Sequence, residues 1–156
     1  MTTASAERTR DRSCAGAATA ELAIFIPLLF VLLLGSVDFG RAFYELTAIT
    51  SAATSGAKYG AHDATHAGDI NGIRNAALDD LRNSVALDTV AVDAERYCDC
   101  DDGTVINCVT GTCAGGNTAR RSYIRVRVDK PFATLFPYPG VPSAVVLSRE
   151  AQMRVQ

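Results

Sequence analysis

The sequence predicts an α+β chain: a long N-terminal membrane-spanning helix extended into a stem, packed on a small antiparallel sheet with one additional helix and a disulfide-pinned hairpin. Three features predict it. Leu22 to Val37 carries no charge, and residues 17–37 suffice to cross a hydrocarbon core about 30 Å thick as a helix. Tyr123–Lys130 and Leu147–Val155 alternate apolar and polar side chains, the period of a strand with one buried face. Cys98, Cys100, Cys108 and Cys113 crowd into one short loop beyond the apolar run. The expected organisation is a basic leader at 1–16, a transmembrane helix at 17–37, a helical stem at 38–60 and an exported α+β domain at 61–156. A formal charge of -2 and the absence of tryptophan supply neither a basic field nor a stacking platform, so no nucleic-acid partner is expected. No cofactor is expected either, since the glycine cluster Gly111–Gly116 lacks the lysine and the strand-to-helix setting of a phosphate cradle.

Taken in chain order, the first element is the edge of the apolar run. Arg8, Arg10 and Arg12 precede it and only Arg41 follows closely, which leaves the N-terminus in the cytoplasm and the C-terminal domain outside the cytoplasmic membrane, as a single-pass protein. Glu21 sits alone at that edge, where a carboxylate costs about 2.5–3.5 kcal/mol in hydrocarbon and calls for a partner. No lysine or arginine lies between Arg12 and Arg41. Cutting the chain after Gly16 would give Ala17 a free ammonium one helical turn before Glu21, able to pair with Glu21 of its own or a neighbouring copy at a positive helix start. Two plainer readings compete, a signal anchor with an incidental glutamate and a removable signal peptide. The second lacks an A-x-A-like site, because Gly35-Ser36-Val37 runs straight into Asp38-Phe39-Gly40-Arg41.

This spacing resembles the processing site of type IV-type prepilins, with Gly16 last in the leader, Ala17 first and Glu21 fifth in the mature chain. Ala17 departs from the phenylalanine of many type IV pilins, and Leu22 from the tyrosine of Flp pilins. The wider string AATAELAIFIPLLFVLLLGSVDFGRAFY, Ala17 to Tyr44, resembles the minor pseudopilins of the TadE family. The resemblance implies a structural or assembly component of a Tad-type pilus or related secretion apparatus. Its implied partners are a prepilin peptidase, other Tad pilins and pseudopilins, the inner-membrane assembly platform and the lipid bilayer. The alternative is a membrane-anchored, adhesin-like surface-binding module with an uncut leader.

Past the membrane the helix is expected to continue to about Tyr59, roughly 65 Å from Ala17 at 1.5 Å per residue. Phe39, Phe43, Leu46, Ala53 and Ala57 mark one face, Pro27 should kink or loosen the span, and Gly56 and Gly60 should weaken the stem before a break at His62–Gly68. A second helix is predicted over Ile70–Val85, capped by Asp69, with an apolar stripe of Ile70, Ile73, Ala77, Leu78 and Leu81. Thr89–Tyr97 reads as a strand with Val90, Val92 and Ala94 on one side. Tyr123–Lys130 is a second, with Ile124, Val126 and Val128 inward, and Leu147–Val155 a third, with Ala151, Met153 and Val155 inward and Arg149 discordant. Pro131, Pro137, Pro139 and Pro142 are expected to make the connection between the last two strands a loop.

Cys14 lies in the leader, which leaves four cysteines outside the membrane, an even number suited to two disulfides in an oxidising compartment. A closed zinc site is the competing reading, but the C-x-C-x₇-C-x₄-C spacing lacks paired C-x₂₋₄-C knuckles. Spacing does not settle connectivity. A nested pairing, Cys98 with Cys113 and Cys100 with Cys108, is favoured over the crossed alternative. Asp99, Asp101 and Asp102 before Gly103 read as an acidic turn rather than a calcium loop, lacking the distal glutamate. His62 and His66 have helical metal-site spacing but no glutamate between them, and no G-x-S-x-G elbow is present, so the chain is not expected to be an enzyme. Arg120, Arg121, Arg125 and Arg127 read as a solvated strand face, with an anionic surface or the acidic stretch Asp93–Asp102 of a neighbouring copy as alternatives.

The far half carries a second resemblance. The C-x-C-x-x-G run from Cys98, the Tyr-Ile-Arg-Val-Arg-Val strand, the Pro-Gly loop and the terminal Leu-Ser-Arg-Glu-Ala-Gln-Met-Arg-Val strand resemble TadE-type ectodomains.

Overall fold

The structure, a computed structural model, describes residues 5–114, 120–138 and 140–156, with the backbone alone for 5–15, 17, 18 and 120. Residues 1–4 of the expected leader, Gly115 and Gly116 of the glycine cluster, and Pro139 of the expected proline loop lie outside the described residues. The elements run α1 (Ser5–Ala61), α2 (Ile70–Leu81), β1 (Ala91–Cys100), β2 (Val105–Ile106), β3 (Arg120–Ala133) and β4 (Ala144–Arg154). The chain divides into two compact units, Met1–Gly40 and Arg41–Gln156.

The first unit is helical from Ser5 onward, so the helix begins upstream of Ala17, where the sequence placed its start. Ser5–Ala15 is built mostly from Ala, Arg and Glu, all good helix formers. The helix continues unbroken through Pro27. The exposed apolar side chains of Leu22–Leu33, together with length and composition, make α1 the one described helix able to cross a membrane.

In the second unit, residues 41–61 of α1 and the whole of α2 cover one face of a four-stranded antiparallel sheet of order β2-β1-β3-β4. Register puts Ala94 opposite Val126 and Val126 opposite Ala151, so alternate residues of three strands meet the helices. Ile124, Val126 and Val128 pack with Ile49, Ala52, Ala53 and Ala57 of α1 and with Ile73, Ala77 and Leu81 of α2, all buried. Each large aliphatic side chain buried there stabilises the unit by about 1.5–3 kcal/mol relative to exposure.

The stem face differs from expectation. Ala53 and Ala57 are buried as predicted, but Phe43 is exposed and Ile49 is in the core. Ten residues separate Phe43 from Ala53, a rotation about 80° short of whole turns, so Phe43 points off the buried face. Phe39, also exposed, belongs to the first unit. Gly56 and Gly60 do not weaken the stem but let it approach its neighbours. A Cβ on Gly60 would lie 2.6 Å from Ile73 Cδ1, and one on Gly56 would lie 3.0 Å from the Ile73 carbonyl oxygen.

α2 starts where predicted, with Asp69 accepting a hydrogen bond from the Gly72 amide at 2.8 Å, but ends at Leu81, four residues before Val85. Pro131 lies inside β3 opposite Val146 rather than in the loop. Its missing N–H is tolerated because β1 ends opposite Asp129, leaving β3 an edge on that side.

The disulfides are crossed, not nested: Cys98 pairs with Cys108 and Cys100 with Cys113, with Cα separations of 5.0 and 5.7 Å. The reason is the path of the chain. Ile106 lies opposite Cys98, so the strand has already passed Cys100 when it reaches Cys108. Asn107 then makes a turn, its side chain accepting from the Val109 amide and its carbonyl from the Gly111 amide. The chain doubles back and delivers Cys113 to Cys100.

Candidate functional site

The residues singled out at the processing edge lie on α1. Gly16 is exposed, and a Cβ placed on it would meet nothing within 4 Å. Its carbonyl accepts a hydrogen bond from the Thr19 hydroxyl at 2.9 Å. Ala17 is helical, its side chain outside the described atoms, and Glu21 is exposed one turn further on. Gly16, Ala17 and Glu21 are therefore grouped on a single helical segment. The helix runs through the expected cut, so the ammonium and the new helix start exist only after cleavage. Gly16 lowers the cost of opening the helix there by about 1 kcal/mol relative to alanine.

Further along α1, the face turned away from the core forms one wall of a groove of about 570 Å³ bounded by Phe43, Leu46, Thr50, Thr54 and Lys58, with Asp80 of α2 and Arg149 of β4 on the other sides. Thr47, Thr50 and Thr54 donate their hydroxyls to the carbonyls of Phe43, Leu46 and Thr50, so this wall shows methyl groups rather than free donors. Arg149, discordant in sequence, lies opposite buried Val128 on the helix side of β4 and opens into this groove.

One ion pair ties the stem to the sheet. Lys130 Nζ donates to Glu45 Oε2 at 2.7 Å, with both side chains largely buried. Four residues earlier on α1, the Arg41 guanidinium sits 5.3 Å from the centroid of the Phe132 ring. The sequence reading missed this pair, whose only signal is a lysine on the inward parity of β3.

The break after α1 is organised by Asp63, which accepts from the backbone amides of Thr65 and His66, both at 2.8 Å, and contacts the rings of His62 and His66. These bonds, led by the His66 amide, hold the Asp63 carboxyl well below the usual carboxylate range. Asp69 is likewise lowered, first by the Gly72 amide and then by the Tyr59 hydroxyl at 3.0 Å. His62, Asp63 and His66 each offer one ligand atom within 4.8 Å of the others, the described group able to hold a metal. Two backbone amides already engage one Asp63 oxygen, and the geometry is that of a capped turn.

On the outer face of the sheet the arginines are matched within the chain. Arg125 contacts Glu95 at 2.7 Å and Glu150 at 3.3 Å, and lies over the Tyr97 ring at 4.6 Å. Arg121 reaches Asp101 at 2.9 Å, and Arg127 reaches Asp129 at 3.0 Å. The acidic stretch Asp93–Asp102, considered as belonging to a neighbouring copy, lies beside β3 in the same chain, on β1 and the turn that follows it. The Arg120 side chain lies outside the described atoms.

Residues 16–58 match the family model described as TadE-like protein. This segment of the chain is similar to the TadE family. No curated protein and no solved structure matches the chain. The TadE-like match opens at Gly16, takes in Glu21, the apolar run and the ion-paired Glu45, and closes at Lys58 in the groove wall. It therefore covers Gly16, Glu21 and the stem and leaves the sheet and the disulfide hairpin outside.

Proposed function

We propose that this chain is a minor pseudopilin-type structural component of a Tad-type pilus or related secretion apparatus, matured by a prepilin peptidase that cuts after Gly16. The observation that carries the reading is the TadE-like match beginning at Gly16 and including Glu21 at the fifth position of the mature chain. The physical logic is electrostatic. Cleavage frees an ammonium on Ala17 and moves the positive end of the helix to that residue, so the lone carboxylate of Glu21 gains a cation and a favourable dipole within one turn. That stabilisation is available in a packed bundle of such helices, from the chain's own terminus or a neighbour's, and the carboxylate is thereby a register mark for assembly.

In this reading the N-terminus lies in the cytoplasm, the second unit is extracytoplasmic, and the exposed stem groove receives a helix of another pilin-like subunit of the assembly platform or fibre. The chain's contribution is structural rather than catalytic, consistent with a histidine–aspartate turn engaged in local hydrogen bonds. The test is mass spectrometry of the protein purified from its native host. An N-terminus at Ala17, lost together with fibre formation in Gly16→Val, supports the reading. Normal fibres from Gly16→Val, or an intact leader on the native protein, overturns it in favour of an anchored surface-binding module.

A further inference from the structure

We propose that the tip of the β3–β4 hairpin rests in the lipid interface, giving the extracytoplasmic unit a second contact with the bilayer beside its helical anchor. The inference rests on reading the apolar run of α1 as a membrane span.

Between Lys130 and Arg149 the chain carries no charged residue, an uncharged stretch comparable in length to the run in α1. The loop at its centre is a closed turn, with the Thr134 amide donating to the Ser143 carbonyl and the Val141 amide to the Tyr138 carbonyl, both at 3.1 Å. Around it Leu135, Phe136, Val141, Val145 and Val146 are exposed, Val146 by 67%. Val145 and Val146 lie on opposite faces of the hairpin, so apolar side chains are exposed on both sides of this end, and apolar surface concentrated in this way marks a contact site. Pro137, Pro139 and Pro142 carry no N–H, which lowers the number of backbone donors needing water at the tip.

What covers the cluster follows from where the chain enters the unit. Glu45 binds Lys130 and Arg41 lies over Phe132, so the hairpin tip belongs to the end of the sheet where α1 comes in. Arg41 is four residues after Val37, the last residue of the uncharged run, and four residues of chain reach no more than about 15 Å. Whatever angle the two units adopt, that end of the sheet is tethered within about 15 Å of the hydrocarbon, close enough for a short apolar tip to reach the interface. Phe43 and Tyr44, exposed just after Arg41, add rings of the type that collects at membrane interfaces. At the β1–β2 turn the surface residues are instead Asp101 and Asp102.

The absence of tryptophan makes the test direct. Three full-length single-tryptophan proteins, Phe136→Trp, Phe30→Trp and Val109→Trp, are reconstituted into phosphatidylethanolamine–phosphatidylglycerol vesicles with acyl chains brominated at shallow or deep positions. The expected result is blue-shifted emission from Phe136→Trp quenched by shallow bromines, quenching of Phe30→Trp by deep ones, and neither for Val109→Trp. If Phe136→Trp behaves as Val109→Trp while Phe30→Trp is quenched, the tip stays in water and the proposal fails with the anchor intact. Shielding of Phe136→Trp from aqueous acrylamide without bromine quenching means protein covers the tip, which also overturns it. An unquenched Phe30→Trp removes the anchor reading itself.

Discussion

Lys130 and Glu45 show what a single buried pair does. Each charge is largely withdrawn from water, and their 2.7 Å contact compensates for that loss. Lys130→Ala should therefore destabilise the chain by about 3–5 kcal/mol, because Glu45 is left without its cation. The double variant Glu45→Leu with Lys130→Met should recover most of that loss. Chemical denaturation of the full chain in detergent reads both, and simple additivity of the two single changes would refute the coupling. Asp63 and Asp69 act at the same scale but through pH. Both carboxyls titrate lower in the folded chain than in the unfolded one, so their contribution is complete above the unfolded value of about 3.9 and is lost as pH falls through the folded values. Melting temperature should fall on acidification below about pH 4, and Asp63→Ala or Asp69→Ala should lower it at neutral pH while flattening that acid limb.

Among elements, the stem and α2 depend on side chains that are absent. Gly60 sits against Ile73 and Ile124, both fully buried, so Gly60→Val should cost about 1–3 kcal/mol by overpacking, despite any gain in helix preference. Pairing it with Ile73→Ala should restore part of the loss, and a Gly60→Val melt equal to wild type would show that the interface yields freely. Glycine in a helix pattern reads as weakness in sequence because propensity is a local quantity, whereas its value here is set by a helix thirteen residues away. The same limit explains the other differences. Alternation at Ile124, Val126 and Val128 was legible because a strand's period is internal to the strand. The partners of Arg121 and Arg125, the placement of Pro131 and the crossing of the disulfides all depend on which strand lies alongside and where the chain turns back. Crossed pairing in particular needed the Asn107 turn, whose reversal is invisible in cysteine spacing alone.

At the scale of the whole molecule, the grouping of Gly16, Ala17 and Glu21 on one helical segment was legible, because their relation is helical spacing within that segment. The stem groove was not legible, since its walls come from α1, α2 and β4. Glu21→Ala should leave membrane insertion intact, measured by carbonate-resistant fractionation, while reducing the chain's recovery in purified fibres. Equal recovery would remove the pairing role assigned to the carboxylate.

The outer sheet face has a consequence for how copies associate. With Arg125 held between Glu95 and Glu150, Arg121 on Asp101 and Arg127 on Asp129, these three cations already have their counter-ions, so contacts made through them should respond little to added salt. Self-association that weakens steeply with ionic strength would have to be using charges elsewhere, and Lys58 and Arg149 along the groove are where a screening experiment should look first.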